Sequence, residues 1–191
     1  NPAYKDAVLK VCSNLDAYRN FDWENGSADG YADAIEGALN LYNRIPDPKV
    51  AQWIDSEINV MWGKQQEDGI IEGWHGDGNF ARTTLMYNLW KSKGLYVQPW
   101  RADLLLGAEQ KGDSLLITLK SEQPWQGKLY FDYSRSKDNM KLPLDYPRIN
   151  QFPEWFTVTM GEHYTALDLD TEKKETLSGE ALKNGIHIVL Q

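Results

Sequence analysis

The sequence is short of cysteine, of basic residues and of long apolar runs, and each shortage removes a class of function. A single cysteine, Cys12, excludes an intrachain disulfide, a cysteine-based zinc cluster and an iron–sulfur site. Lys and Arg number 20 against 28 Asp and Glu, a formal charge of −8. That sign is wrong for a phosphate backbone and for an anionic membrane surface, so neither nucleic acid nor membrane is expected as a partner. No run approaches the roughly 18 apolar residues that a spanning helix needs. The chain also lacks a Gly-rich phosphate loop, a G-x-S-x-G elbow and a setting for a nucleophilic cysteine, and no cofactor is expected. It opens on Asn1-Pro2-Ala3-Tyr4 with neither an initiator Met nor a leader. The expectation is a removed leader or a start partway through a longer protein.

What remains is enough for a packed protein. Hydrophobic residues make up 41% of 191, which excludes wholesale disorder and suits one domain or two small ones. The marked excess is aromatic, with eight Trp and ten Tyr. Rings with polar tips fill cores, and they also stack on sugar C–H faces at wet binding surfaces.

Residues 1–94 carry helical periodicity. Tyr4, Val8, Val11, Leu15 and Tyr18 recur at three and four, which predicts a helix over 2–18 with Cys12 as a buried core thiol. Ser27 is placed to cap a second, inner helix running to about Asn43. Asp47 and Pro48 are placed to cap and begin a third, whose stripe is Val50, Trp53, Ile54, Ile58, Met61 and Trp62. A fourth is expected from Phe80 to Ser92, with Gly94 behind it. Two helical hairpins result, each with a long polar loop before its second helix.

Beyond residue 95 the period becomes two. Strands are expected at 103–108, 114–120, 128–133, 156–160, 164–169, 175–177 and 186–190, with an extended loop over the proline-bearing stretch 140–155. The fold class is therefore α+β. Helical hairpins form a domain over 1–94, and an antiparallel β-sandwich forms a domain over 95–191.

Chemistry concentrates in the two polar loops. The first holds Asp22, Trp23, Glu24, Asn25, Gly26 and Asp29; the second holds Glu72, Trp74, His75, Asp77 and Asn79, with Arg82 beyond it. Glycines let backbone approach a ligand, and a Trp beside carboxylates joins a stacking platform to acid–base groups. Asp77, flanked by Gly76 and Gly78, is the candidate general acid, with Glu72 or Asp29 as its partner. Asp77 or Asn79 as a helix cap, and Asp29 as a first-turn acid, are the alternatives. Trp23 and Trp74 are candidate platforms, with His75, Arg82 and Asp22 as further sugar contacts. Arg82 falls in a helix's first turn, where the dipole disfavours a cation, so it needs a structural or a ligand carboxylate. His75 has no second His at metal-ligand spacing, and no metal is expected.

The run Ile70-Ile71-Glu72-Gly73-Trp74-His75-Gly76-Asp77-Gly78-Asn79-Phe80-Ala81-Arg82-Thr83 resembles bacterial proteins described as glycosyl hydrolases. So does the tail Tyr146-Pro147-Arg148-Ile149-Asn150-Gln151-Phe152-Pro153-Glu154-Trp155-Phe156. The loop and inner-helix repeat followed by a β part resembles the C-terminal region of (α/α)-toroid, six-hairpin carbohydrate enzymes. The resemblance implies a partial toroid whose pre-helix loops line a sugar cleft. It also implies a bacterial periplasmic or secreted polysaccharide-degrading hydrolase. The substrate would be an acidic or plant-type oligosaccharide or polysaccharide, and the missing N-terminal part of the same protein would supply the remaining hairpins. A glycan-binding module without catalysis and a structural capping unit are the alternatives.

Overall fold

The computed structural model describes residues 1–19, 21–71, 78–146 and 152–191. The chain is mixed α and β, and it divides into two compact units, Asn1–Tyr87 and Asn88–Gln191. Among the described residues no helix is long and apolar enough to cross a membrane.

The first unit is helical. Helix α1 (Pro2–Ser13) stops five residues short of the predicted end; Leu15–Tyr18 forms a separate 3-10 turn. Only Cys12 is buried on α1, while Tyr4 and Val11 are 74% and 55% exposed. The inward stripe is thus narrower than the apolar periodicity suggested, and runs through Val8 and Cys12, four residues apart. Helix α2 (Ala28–Arg44) begins at its expected cap, the Ser27 hydroxyl accepting from the Gly30 amide at 3.1 Å. Helix α3 (Pro48–Trp62) begins with Asp47 accepting from the Lys49 amide at 2.8 Å. Tyr31, Ile35, Ala38 and Leu39 of α2 and Val50, Trp53, Ile54, Ile58 and Met61 of α3 are buried. Helix α4 (Asn79–Lys91) runs across the boundary between the units.

The second unit is built from short strands. A three-stranded antiparallel sheet orders β1 (Tyr96–Gln98), β4 (Trp125–Tyr130) and β9 (Ile186–Leu190), with β4 central. Hairpins pair β2 (Leu105–Lys111) with β3 (Ser114–Lys120) and β7 (His163–Leu167) with β8 (Lys174–Ser178). One pairing departs from the antiparallel expectation: β5 (Asp132–Tyr133) and β6 (Thr157–Val158) run parallel. The strand expected over 128–133 is therefore two, because its end leaves the central sheet for a different partner. Short helices α5 (Arg135–Asp138) and α6 (Gly179–Asn184) were not foreseen. The core of this unit gathers Leu95, Val97, Leu104, Trp125, Leu129, Phe131, Val158 and Leu182.

Candidate functional site

The candidate site lies in the first unit, where α2 and α4 begin. The approach to α2 is a tight 3-10 turn, Trp23–Gly26, in which Glu24, Asn25 and Gly26 all hold positive φ (48°, 58° and 78°). Left-handed backbone is disfavoured for side chains other than Asn or Gly, so Glu24 is held there by its surroundings. Gly30 makes that possible. A Cβ at Gly30 would lie 2.9 Å from Glu24 Cβ and 3.1 Å from the Trp23 carbonyl carbon. The missing side chain thus seats the turn on the helix.

Trp23 is half-buried in an aromatic cluster. It stacks on Tyr18 at 6.2 Å and meets Phe21 and Trp53 edge-on at 4.8 and 6.2 Å. Its indole N–H has no hydrogen-bond partner among the described residues. The rings that face solvent here are Tyr18 and Phe21, 42% and 46% exposed; Tyr18 was read only as part of a helix stripe and Phe21 was not singled out. The Tyr31 hydroxyl donates to the Phe21 carbonyl at 3.1 Å and ties this cluster to α2. Lys64, at the start of the second polar loop, places its ammonium 5.1 Å from the Tyr31 ring centroid. Asp22 is exposed, and its Oδ1 is 3.1 Å from the point where a Gly26 Cβ would stand.

Three polar rungs join α4 to α2. Asn79 Nδ2 donates to Asp29 Oδ1 at 2.6 Å and reaches Asp33 Oδ1 at 3.5 Å. Arg82 donates through Nε and Nη2 to Glu36 Oε2 at 3.0 and 2.6 Å. The Thr83 hydroxyl donates to the Ala32 carbonyl at 3.2 Å, with Thr83 fully buried. Arg82 therefore has a structural carboxylate as its partner, which offsets its unfavourable place in the first turn. Asn79, the first residue of α4, uses its side-chain amide Nδ2 between helices. Asp29 is half-buried and bonded to α4. The sites expected at Glu72, Trp74, His75 and Asp77 lie outside the described residues. Among the described residues no group of three His, Cys, Asp or Glu could hold a metal ion.

Asp33 and Glu36 were missed by sequence reasoning. Their signal was present: 29, 33 and 36 are spaced four and three apart, which stacks three carboxylates on one helical face. The electrostatics follow. Partial burial pushes the Asp33 carboxyl up from its ordinary 3.8; Asp29, Glu36 and Glu24 push the same way, and Arg82 opposes them. Asp29, Asp33 and Glu36 thus form a cluster of like charge on one face of α2.

No family model, curated protein or solved structure matches this chain.

The raised acid carries a pH dependence. Because the folded state binds the Asp33 proton more tightly than the unfolded one, ionisation of Asp33 destabilises the first unit above its raised pKa. That penalty shrinks as pH falls through the folded value and is gone below 3.8. Asp33→Asn is expected to raise the melting temperature of this unit slightly at about pH 7 and to leave it unchanged at about pH 3. Thermal unfolding of both proteins at the two pH values checks it, and an equal gain at both would show that ionisation is not the cause.

Proposed function

We propose that this chain is a carbohydrate-processing enzyme, or the C-terminal part of one. It acts as a glycoside hydrolase on an acidic or plant-type glycan by carboxylate general-acid catalysis. The observation that carries the reading is the Asn79–Asp29 bond at 2.6 Å. It brings the N-terminal ends of α2 and α4 side by side. Lys64, just beyond α3, lies 5.1 Å from the centroid of Tyr31, whose hydroxyl anchors the first polar loop at the Phe21 carbonyl. In this reading Asp77 is the acid, and Glu72 or Asp29 is its partner carboxylate. Trp23, Trp74 and the exposed Phe21 offer rings to the sugar; Asp22, His75 and Arg82 orient it.

The finer architecture belongs to the same proposal. The hairpins of the first unit are a partial (α/α)-toroid, and the strands of the second are a β-sandwich. The toroid would be completed by a preceding part of the same protein, exported by a bacterium to the periplasm or beyond.

The test is incubation with a panel of oligogalacturonates, unsaturated glucuronyl disaccharides and neutral plant oligosaccharides, with products resolved by mass. One class is expected to be cleaved. Asp77→Asn is expected to lower kcat by about 100-fold or more while substrate still binds. Binding without product from any member would instead make the chain a glycan-binding module, and neither binding nor product would leave the capping role.

A further inference from the structure

The second unit holds a cavity of ~440 Å³ formed where α5, β6 and α6 meet. That volume lies within the range of small-molecule sites, roughly 300–1,000 Å³. Its wall is chemically unlike the rest of the protein. The chain as a whole has more acids than bases, yet the lining includes Lys137, Lys141 and Lys183 against one acidic residue, Asp138. Among the described residues none of the three amines forms an ion pair with a carboxylate. Three lysines against the single acid of the lining leave an excess of positive charge around the hollow, which low-dielectric walls strengthen.

Two of the three amines are held in place. Lys183 Nζ sits 3.8 Å from the Tyr133 ring centroid. Lys141 Nζ donates to the Asp138 carbonyl at 2.7 Å. Lys141 also holds a left-handed backbone, φ 56°, a conformation a lysine adopts at a cost. Beneath them Glu154 braces the start of α5. It accepts from the Ser136 amide at 2.6 Å and from the Ser134 hydroxyl at 3.1 Å. Ser134, spent as a donor to Glu154, keeps lone pairs that can accept from a ligand hydroxyl. Thr159 adds a second hydroxyl-bearing residue to the lining, and Val158 and Met160 add apolar ones.

Three lysines, two hydroxyl-bearing residues and two apolar residues in one lining match one kind of ligand. We infer that this cavity binds an acidic sugar of the uronate type. Its carboxylate would lie among the three lysines, its hydroxyls would meet Ser134 and Thr159, and its C–H face would lie on Val158 and Met160. The inference shares with the proposed reaction only the acidic character of the ligand, and it concerns a separate site of binding rather than of turnover.

The experiment titrates the full chain with digalacturonate, with its uncharged methyl ester and with inorganic phosphate. Affinity is read calorimetrically, and the site is read from methyl shifts of Val158 and Met160. Digalacturonate is expected to shift those methyls, to bind at least about tenfold more tightly than the ester, and to weaken as salt rises. Lys137→Glu is expected to lower its affinity by about tenfold or more. Lys141→Gly, which removes an amine where the backbone already favours glycine, is expected to lower it by a smaller factor while melting is unchanged. Asp77→Asn is expected to leave binding at this cavity intact, whatever it does to turnover. Three results overturn the inference: equal affinity for acid and ester, phosphate binding as tightly as the sugar, or shifts that leave Val158 and Met160 unmoved.

Discussion

Gly179→Ala is expected to destabilise the second unit by about 2–3 kcal/mol, an overpacking penalty of ordinary size. The sign is opposite to what helix propensity gives, since alanine in a helix is favoured over glycine by about 1 kcal/mol. Gly179 opens α6 with an unremarkable negative φ, so backbone strain is not the reason. The reason is close approach. A Cβ on Gly179 would overlap the Thr159 carbonyl oxygen and lie 2.8 Å from the Thr159 carbonyl carbon. Backbone is the obstacle, so no side chain can swing aside. Thr159 follows β6, and the Gly179 amide also donates to the Glu162 carbonyl at 2.9 Å, which fixes the segment from both ends. The melting temperature of this unit should fall by roughly 10 °C or more. An unchanged or higher melting temperature would show that the 159–162 segment yields freely.

Ile35→Ala is expected to cost about 2–5 kcal/mol in the first unit, the transfer of a large aliphatic side chain plus the void it leaves. Ile35 is fully buried on α2, one residue from Glu36 and two from Asp33. It belongs to the inner face of the helix whose outer face carries the carboxylates. The comparison variant is Val11→Ala on α1. Val11 is 55% exposed, and its truncation is expected to change stability by about 0.5 kcal/mol or less. Urea unfolding of both proteins measures the difference. Similar costs at the two positions would contradict the assignment of α2 as the inner helix and α1 as a peripheral one.

The helices of the first unit were legible because their punctuation is local. Ser27, Asp47 and Pro48 announce α2 and α3 within a residue or two of where they start. Strand β3 was legible for the same reason: Gly112 takes the left-handed turn before it, and Leu115, Ile117 and Leu119 alternate inward, whereas β2 runs to Lys111, three residues past the expected 103–108. Strand β1 was not legible. Three residues, Tyr96–Gln98, become a strand only by pairing with Lys128–Tyr130, some thirty positions away. The short helix α6 did carry signals, a Ser178 cap and Gly185 behind it, but six residues are too few to show a period.

The site divides along the same line. That Arg82 needs an acid follows from its position on α4, whereas that the acid is Glu36 depends on which faces of α2 and α4 meet. Trp23 was read as a platform from its neighbours in sequence. Its neighbours in space are Tyr18, Phe21 and Trp53, and they turn it into the middle of a cluster whose outer rings do the exposing.

The sole thiol of the chain lies on α1 with 3% of its surface exposed, and burial pushes its pKa up from 9.0. Cys12 is thereby shielded from alkylating reagents both sterically and by protonation. Iodoacetamide can reach it only when the helical unit opens, and there is no second sulfhydryl to confuse the trace. The rate of carbamidomethylation is thus a clock for the breathing of one half of the molecule alone, legible in a mass spectrum without any engineered label.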